Sequence, residues 1–199
     1  MLSKRSGRVS ITKALEQLSL VEEDPPLLVS FDTEGTARSG GIREIAACCV
    51  ERPSDTFADI VTTLSNATGL SASDADRTWA RVGPRFFAWL SKMADDSRPI
   101  VLVAHNAKHD AALLRRETIE QCPQCVDHTL RIADTLAGTR AKLPELKRRD
   151  QSSVYKHLFG AAPAKAHTAL ADAIANASIA RELSEYLAAN NAIIFPKEK

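Results

Sequence analysis

The sequence predicts an α/β protein in one domain, a mixed β-sheet covered by helices on its faces. LLVSFDTE (27–34), IREIAACCVE (42–51) and IVLVAH (100–105) are apolar runs of strand length, the first and last ending abruptly in polar residues. KHDAALLRRETIEQ (108–121) and the alanine-rich AHTALADAIANASIARELSEYLAA (166–189) have helical length and composition. The strands come first and then alternate with helices, so part of the sheet is a hairpin and part is built from strand-helix units.

Taken in order, residues 1–26 carry Lys4, Arg5, Arg8 and Lys13 before the first acid, Glu16, and close on Pro25-Pro26. They read as a basic tail or a short leading helix, with a weak likeness to a mitochondrial presequence. The folded domain is placed at 27–190. The 27–34 and 42–51 strands form a hairpin around Gly35 and the Ser39-Gly40-Gly41 turn, and FADIVTTL from 57 is a third strand. From Ser71 to Met93 a helix is expected, with Trp79, Val82, Phe86, Phe87 and Leu90 on its apolar face. The 100–105 strand feeds the 108–121 helix, RIADTL (131–136) is a short strand, and SSVYKHLF is a short helix that Gly160 stops. One long helix from about 168 completes the domain, and 191–199 is a C-terminal tail.

Composition excludes several classes. Lysine plus arginine number 26 against 25 acids, so any affinity for a polyanion must come from a local patch. No run approaches the ~18 apolar residues of a membrane span. A soluble, intracellular protein is expected, cytoplasmic or nuclear, with mitochondrial placement as the alternative. The four cysteines fall as Cys48-Cys49 and Cys122-Pro-Gln-Cys125, which suits buried thiols better than a secreted disulfide framework. Cys122, Cys125 and His128 have the ligand types of a zinc knuckle but no evident fourth ligand, and two thiols in a tight turn is the preferred reading.

The chemistry concentrates in three short segments. Asp32 and Glu34 are two apart in a strand, so both point to one face, where their mutual repulsion and desolvation are relieved by a divalent cation. Asp110 stands in the first turn of the 108–121 helix, where an acid also complements the helix dipole, and His105 and Asn106 precede it in the turn. His167 lies five residues before Asp172 at the entry to the last helix.

FDTEG, AHNAKHD and AHTALADA, in this order across residues 27–190, resemble the three motifs of the DEDD exonuclease superfamily. Histidine five positions before the last aspartate resembles the histidine subgroup, DEDDh; the tyrosine subgroup carries tyrosine where this chain has Thr168. The resemblance implies a ribonuclease H-like fold and a 3′-to-5′ exonuclease using two Mg²⁺ or Mn²⁺ ions. By the same resemblance Asp32, Glu34, Asp110 and Asp172 hold the metals and His167 is the general base. The implied partner is DNA or RNA with a free 3′ end, single-stranded in preference to duplex. Service as a polymerase proofreading subunit, or a non-catalytic nucleic-acid-binding domain on the same fold, are the alternatives. Gly35, Thr36, Ala37, His105 and Asn106, beside the motif carboxylates, are the expected nucleotide contacts. Two positions depart from the pattern: Gly35 replaces a frequent threonine, and His109 stands where phenylalanine is usual. Asp134 reads as a strand-end acid, and Lys147, Arg148 and Arg149 form a basic run that fits either a phosphate backbone or a solvated face.

Overall fold

The computed structural model describes residues 24–36, 41–61, 77–94, 98–126, 129–164 and 168–195. Strands β1 (Leu27–Thr36) and β2 (Gly41–Cys49) form the expected hairpin, paired antiparallel from Val29 opposite Cys49 to Thr36 opposite Gly41. β3 (Thr56–Ile60) adds antiparallel to β2. On the other side of β1, β4 (Ile100–Ala104) and β5 (Leu130–Asp134) follow in parallel, and β6 (Ala192–Phe195) closes the edge antiparallel to β5. The order is β3-β2-β1-β4-β5-β6, a mixed sheet with β1 in its interior.

Helices α1 (Trp79–Met93) and α2 (Lys108–Gln121) cover one face. Leu27, Val29 and Phe31 of β1 pack there with Phe86, Leu90, Leu113 and Leu114. Helices α3 (Thr135–Lys142), α4 (Gln151–Phe159), α5 (Ala169–Glu182) and α6 (Ser184–Ala189) complete the described helices. The opposite core joins Leu28, Val101 and Val103 to Val154, Ala177, Ile179, Ala180 and Leu187. Strand alternation thus sends odd residues of β1 to the α1–α2 layer and even residues to the α5 layer. The alanines of α5 let it lie close against β1 and β2, with Ala46, Ala169 and Ala173 fully buried together.

Three expectations change. The stretch after residue 190 is not all tail, because Ala192–Phe195 forms β6, whose Ile194 and Phe195 are buried and cover the exposed edge of β5. The long final helix breaks at Leu183, where a tighter turn (Leu183 N–H to Ala180 carbonyl, 3.2 Å) lets Leu183 and Leu187 both enter the core. The strand read in RIADTL ends at Asp134, which caps α3 by accepting a 2.8 Å bond from the Leu136 amide. Gly160 stops α4 as expected, in a left-handed conformation at φ 76°. The early part of the helix expected over 71–93 lies outside the described residues.

Candidate metal centre

β1 is longer than the neighbour it runs beside. Its last partner on β4 is Val103, opposite Ser30, so the chain from Phe31 onward projects past the parallel half of the sheet while staying paired to β2. Asp32 and Glu34 therefore stand on a rim, on the face that α5 covers. Ser30, two residues earlier on that face, accepts a 3.0 Å bond from Asn176 of α5, which pins the helix to the strand. The cap of α5 is Thr168, whose hydroxyl accepts from the Ala171 amide at 3.3 Å, and the first turn then delivers Asp172. One carboxylate oxygen from each of Asp32, Glu34 and Asp172 lies within 4.8 Å of the other two, and each residue is half-buried.

Asp110 arrives from the other layer. It is 6% exposed in the first turn of α2, and its Oδ1 accepts two bonds from Thr33, 3.1 Å from the amide and 2.7 Å from the hydroxyl. Thr33 sits between Asp32 and Glu34 but faces the α1–α2 layer, so β1 carries ligand-type acids on one face and the anchor of a fourth acid on the other. Sequence reasoning missed Thr33; its place inside FDTE was the available signal.

Negative charge is concentrated here. Burial, followed by the fields of Asp110, Asp172, Glu34 and Glu44, pushes the Asp32 carboxyl up to about 8. Glu44 is the cross-strand partner of Glu34, a fifth acid that the motif reading did not single out. Burial also raises Asp110, opposed by its two bonds from Thr33. Hard oxygen donors at this spacing, crowded until one of them holds its proton at neutral pH, fit a divalent cation such as Mg²⁺ or Mn²⁺.

The remaining expected residues divide. Gly35 follows a register shift in the β1–β2 ladder and has φ 146°; a Cβ there would lie 2.2 Å from the Gly41 carbonyl oxygen, so threonine does not fit. The Gly35 carbonyl lies 3.3 Å from His109 Nε2, so the two departures from the motif pattern touch one another. Thr36 ends β1 opposite Gly41. His105 turns inward: Nδ1 is 3.0 Å from the Thr135 hydroxyl and Nε2 is 2.7 Å from the Arg149 carbonyl, and burial lowers its pKa. Thr135 continues to Asn176 at 2.7 Å, so His105 joins a hydrogen-bonded network behind the site. Asn106 adopts φ 63°, a left-handed turn that asparagine tolerates, with its amide donating to Asp134 at 2.9 Å. Gln151, also missed, donates through Nε2 to Asp172, 2.9 Å to its carbonyl and 3.4 Å to its carboxylate. Ala37, His167 and His128 lie outside the described residues. Cys122 is fully buried, and burial with the neighbouring Cys125 pushes its thiol up to about 12.

Solved structures share this architecture. The nuclease domain of 3′hExo, described as a DEDDh family member bound to rAMP, aligns with a TM-score of 0.62 at 16% identity, over 88% of this chain and 98% of that one. Exonuclease X in complex with 5′ overhanging duplex DNA aligns at 0.52 and 21% identity, over 80% and 92%. Cell-death related nuclease 4 aligns at 0.56 and 14% identity, over 85% of this chain. The chain has the ribonuclease H-like fold. It spans 66% of the cell-death related nuclease, just under two thirds of that chain. At these identities the likeness is one of ribonuclease H-like architecture. No family model matches the chain, and no curated protein matches it in sequence. Among the described residues no helix is long and apolar enough to cross a membrane.

Proposed function

We propose that the protein is a DEDDh-type, metal-dependent 3′-to-5′ exonuclease that removes nucleotides from the 3′ end of DNA or RNA. The observation that carries this reading is the convergence of Asp32, Glu34 and Asp172 within 4.8 Å on a rim, with Asp110 tied to the intervening Thr33. These are the four carboxylates of the three motifs, drawn from three distant parts of the chain. Asp32, Glu34, Asp110 and Asp172 would hold the divalent ions, which would supply positive charge to the phosphoryl oxygens and acidify a water.

The chain's own residues do the rest. Thr33 holds Asp110 in place, Gln151 steadies Asp172, and the Asn176–Ser30 bond keeps α5 against β1, so that the carboxylates approach each other despite their repulsion. His167, just ahead of α5, takes the proton of the attacking water; an imidazole with an ordinary pKa near 6.5 is a base at neutral pH. The fold's relatives include one bound to rAMP, one bound to overhanging duplex DNA and a 3′-exonuclease recognising histone mRNA, so fold alone does not select the sugar. The test is a panel of 5′-labelled single- and double-stranded DNA and RNA digested with Mg²⁺ or Mn²⁺. A ladder shortening from the 3′ end, absent in Asp172→Asn, is expected; no cleavage of any member, or cleavage by Asp172→Asn at the normal rate, would overturn the proposal.

A further inference from the structure

We infer that the loop between α3 and α4, Leu143 to Asp150, is the path of the nucleic-acid strand away from the metal centre, with Lys147, Arg148 and Arg149 as its phosphate contacts. The inference rests on the nuclease reading and identifies where the substrate's backbone lies.

Charge is the first argument. Residues 140–156 hold six lysines and arginines against two acids, whereas the rest of the chain holds 20 against 23. That segment carries an excess of four cations, as do the residues before Glu16, and a polyanion approaching five clustered acids needs such a segment beside them.

Position is the second. At the C-terminal end of its basic run the Arg149 carbonyl takes the 2.7 Å bond from His105, in the network behind the site, and Gln151, the first residue of α4, bonds Asp172. Lys147 is four residues from Gln151, at most about 14 Å of extended chain, or roughly four nucleotides of a stacked strand, from the residue that bonds Asp172. The loop is also held in shape. Arg149 donates to the Pro144 carbonyl at 2.8 Å, Leu146 N–H to the Leu143 carbonyl at 3.2 Å, and Asp150 caps α4 by accepting from Ser153.

The third argument is that these cations are under-used by the protein itself. Lys147 makes no ion pair among the described residues, and Arg148, with its side chain 83% exposed, meets only Asp150 at 3.3 Å. The other acid of the segment, Glu145, is turned to His157 at 3.7 Å. The Arg148 guanidinium, exposed and with donors to spare, suits a phosphate oxygen.

The experiment compares the full chain, wild type and K147Q/R148Q/R149Q, on a 12-nucleotide single strand and on a dinucleotide, whose one phosphate is the scissile one. Strand affinity is measured by fluorescence anisotropy in an Asp32→Asn background across 50–300 mM KCl. The triple variant should bind the 12-mer roughly tenfold or more weakly at low salt, with a log Kd against log salt slope smaller by about 2, since each single-strand phosphate contact contributes about 0.7. Dinucleotide cleavage should be unchanged, and Lys92→Gln, on the opposite sheet face, should change neither. Equal 12-mer affinity and slope would overturn the inference while leaving the nuclease reading intact. Loss of dinucleotide cleavage together with strand binding would recast the loop as support for the site. Failure of the wild type to cleave either substrate would overturn the parent reading.

Discussion

Replacing Asp32 by asparagine should stabilise the metal-free protein, in a pH-dependent way. In the folded state the Asp32 carboxyl is pushed from its ordinary 3.8 to about 8, chiefly by burial and then by the neighbouring acids. Between those values the folded protein keeps a proton that the unfolded chain releases. Stability therefore falls as pH rises through the window, the reverse of a salt-bridged aspartate. Each unit corresponds to about 1.4 kcal/mol, so about 4 kcal/mol is lost between pH 4 and pH 7. Asparagine has the same shape and does not ionise. At pH 7 the variant should gain up to about 4 kcal/mol, roughly 8–16 °C in Tm for a domain of this size, and almost nothing at pH 4. Thermal unfolding in EDTA, from pH 4.5 to 8, measures both proteins. Asp110, also raised by burial, leaves the variant a smaller slope of the same sign. Adding Mg²⁺ should stabilise the wild type most at high pH and the variant little. A wild-type Tm that stays flat or climbs across this range in EDTA, with the variant running parallel, would refute the reasoning.

His167→Gln should retain metal and strand binding but turn over about 10² to 10⁴ times more slowly, and its rate should lose the pH inflection that a general base imposes as it is deprotonated. Near-normal single-turnover rates would remove His167 from that role. Thr33→Val deletes the 2.7 Å donor to Asp110, and a hydrogen bond to a charged group is typically worth about 1.5–3 kcal/mol. The variant should need more Mg²⁺ for half-maximal rate, and an unchanged Mg²⁺ titration would show that Asp110 does not depend on this anchor. Cys122→Ser should leave cleavage nearly intact, and metal analysis after gel filtration should find no zinc; stoichiometric zinc would reinstate a knuckle at Cys122 and Cys125.

Much of the architecture was legible because it rests on local patterning. The apolar runs at 27–34 and 100–105 became β1 and β4, the hairpin partner became β2, and the helix starting at Lys108 begins where its spacing predicts. Asp32 and Glu34 share a face because side chains alternate along any strand, and Asp172 occupies a first turn because Thr168 caps the helix before it. These relations span a few residues, and sequence alone determines them. Relations between distant segments were decided by packing. Nothing local says that Thr33 would be 77 positions from the carboxylate it anchors, that Gln151 would reach Asp172, or that His105 would turn into a buried network with Thr135 and Asn176. The short run Ala192–Phe195 has no strand signal of its own beyond four residues; it became β6 because β5 offered an unpaired edge and a hydrophobic layer to cover. The same holds for the site's electrostatics. Five acids are visible in the sequence, but a carboxyl held near 8 exists only once the sheet and two helices bring them together out of water, where burial penalises charge and their fields add.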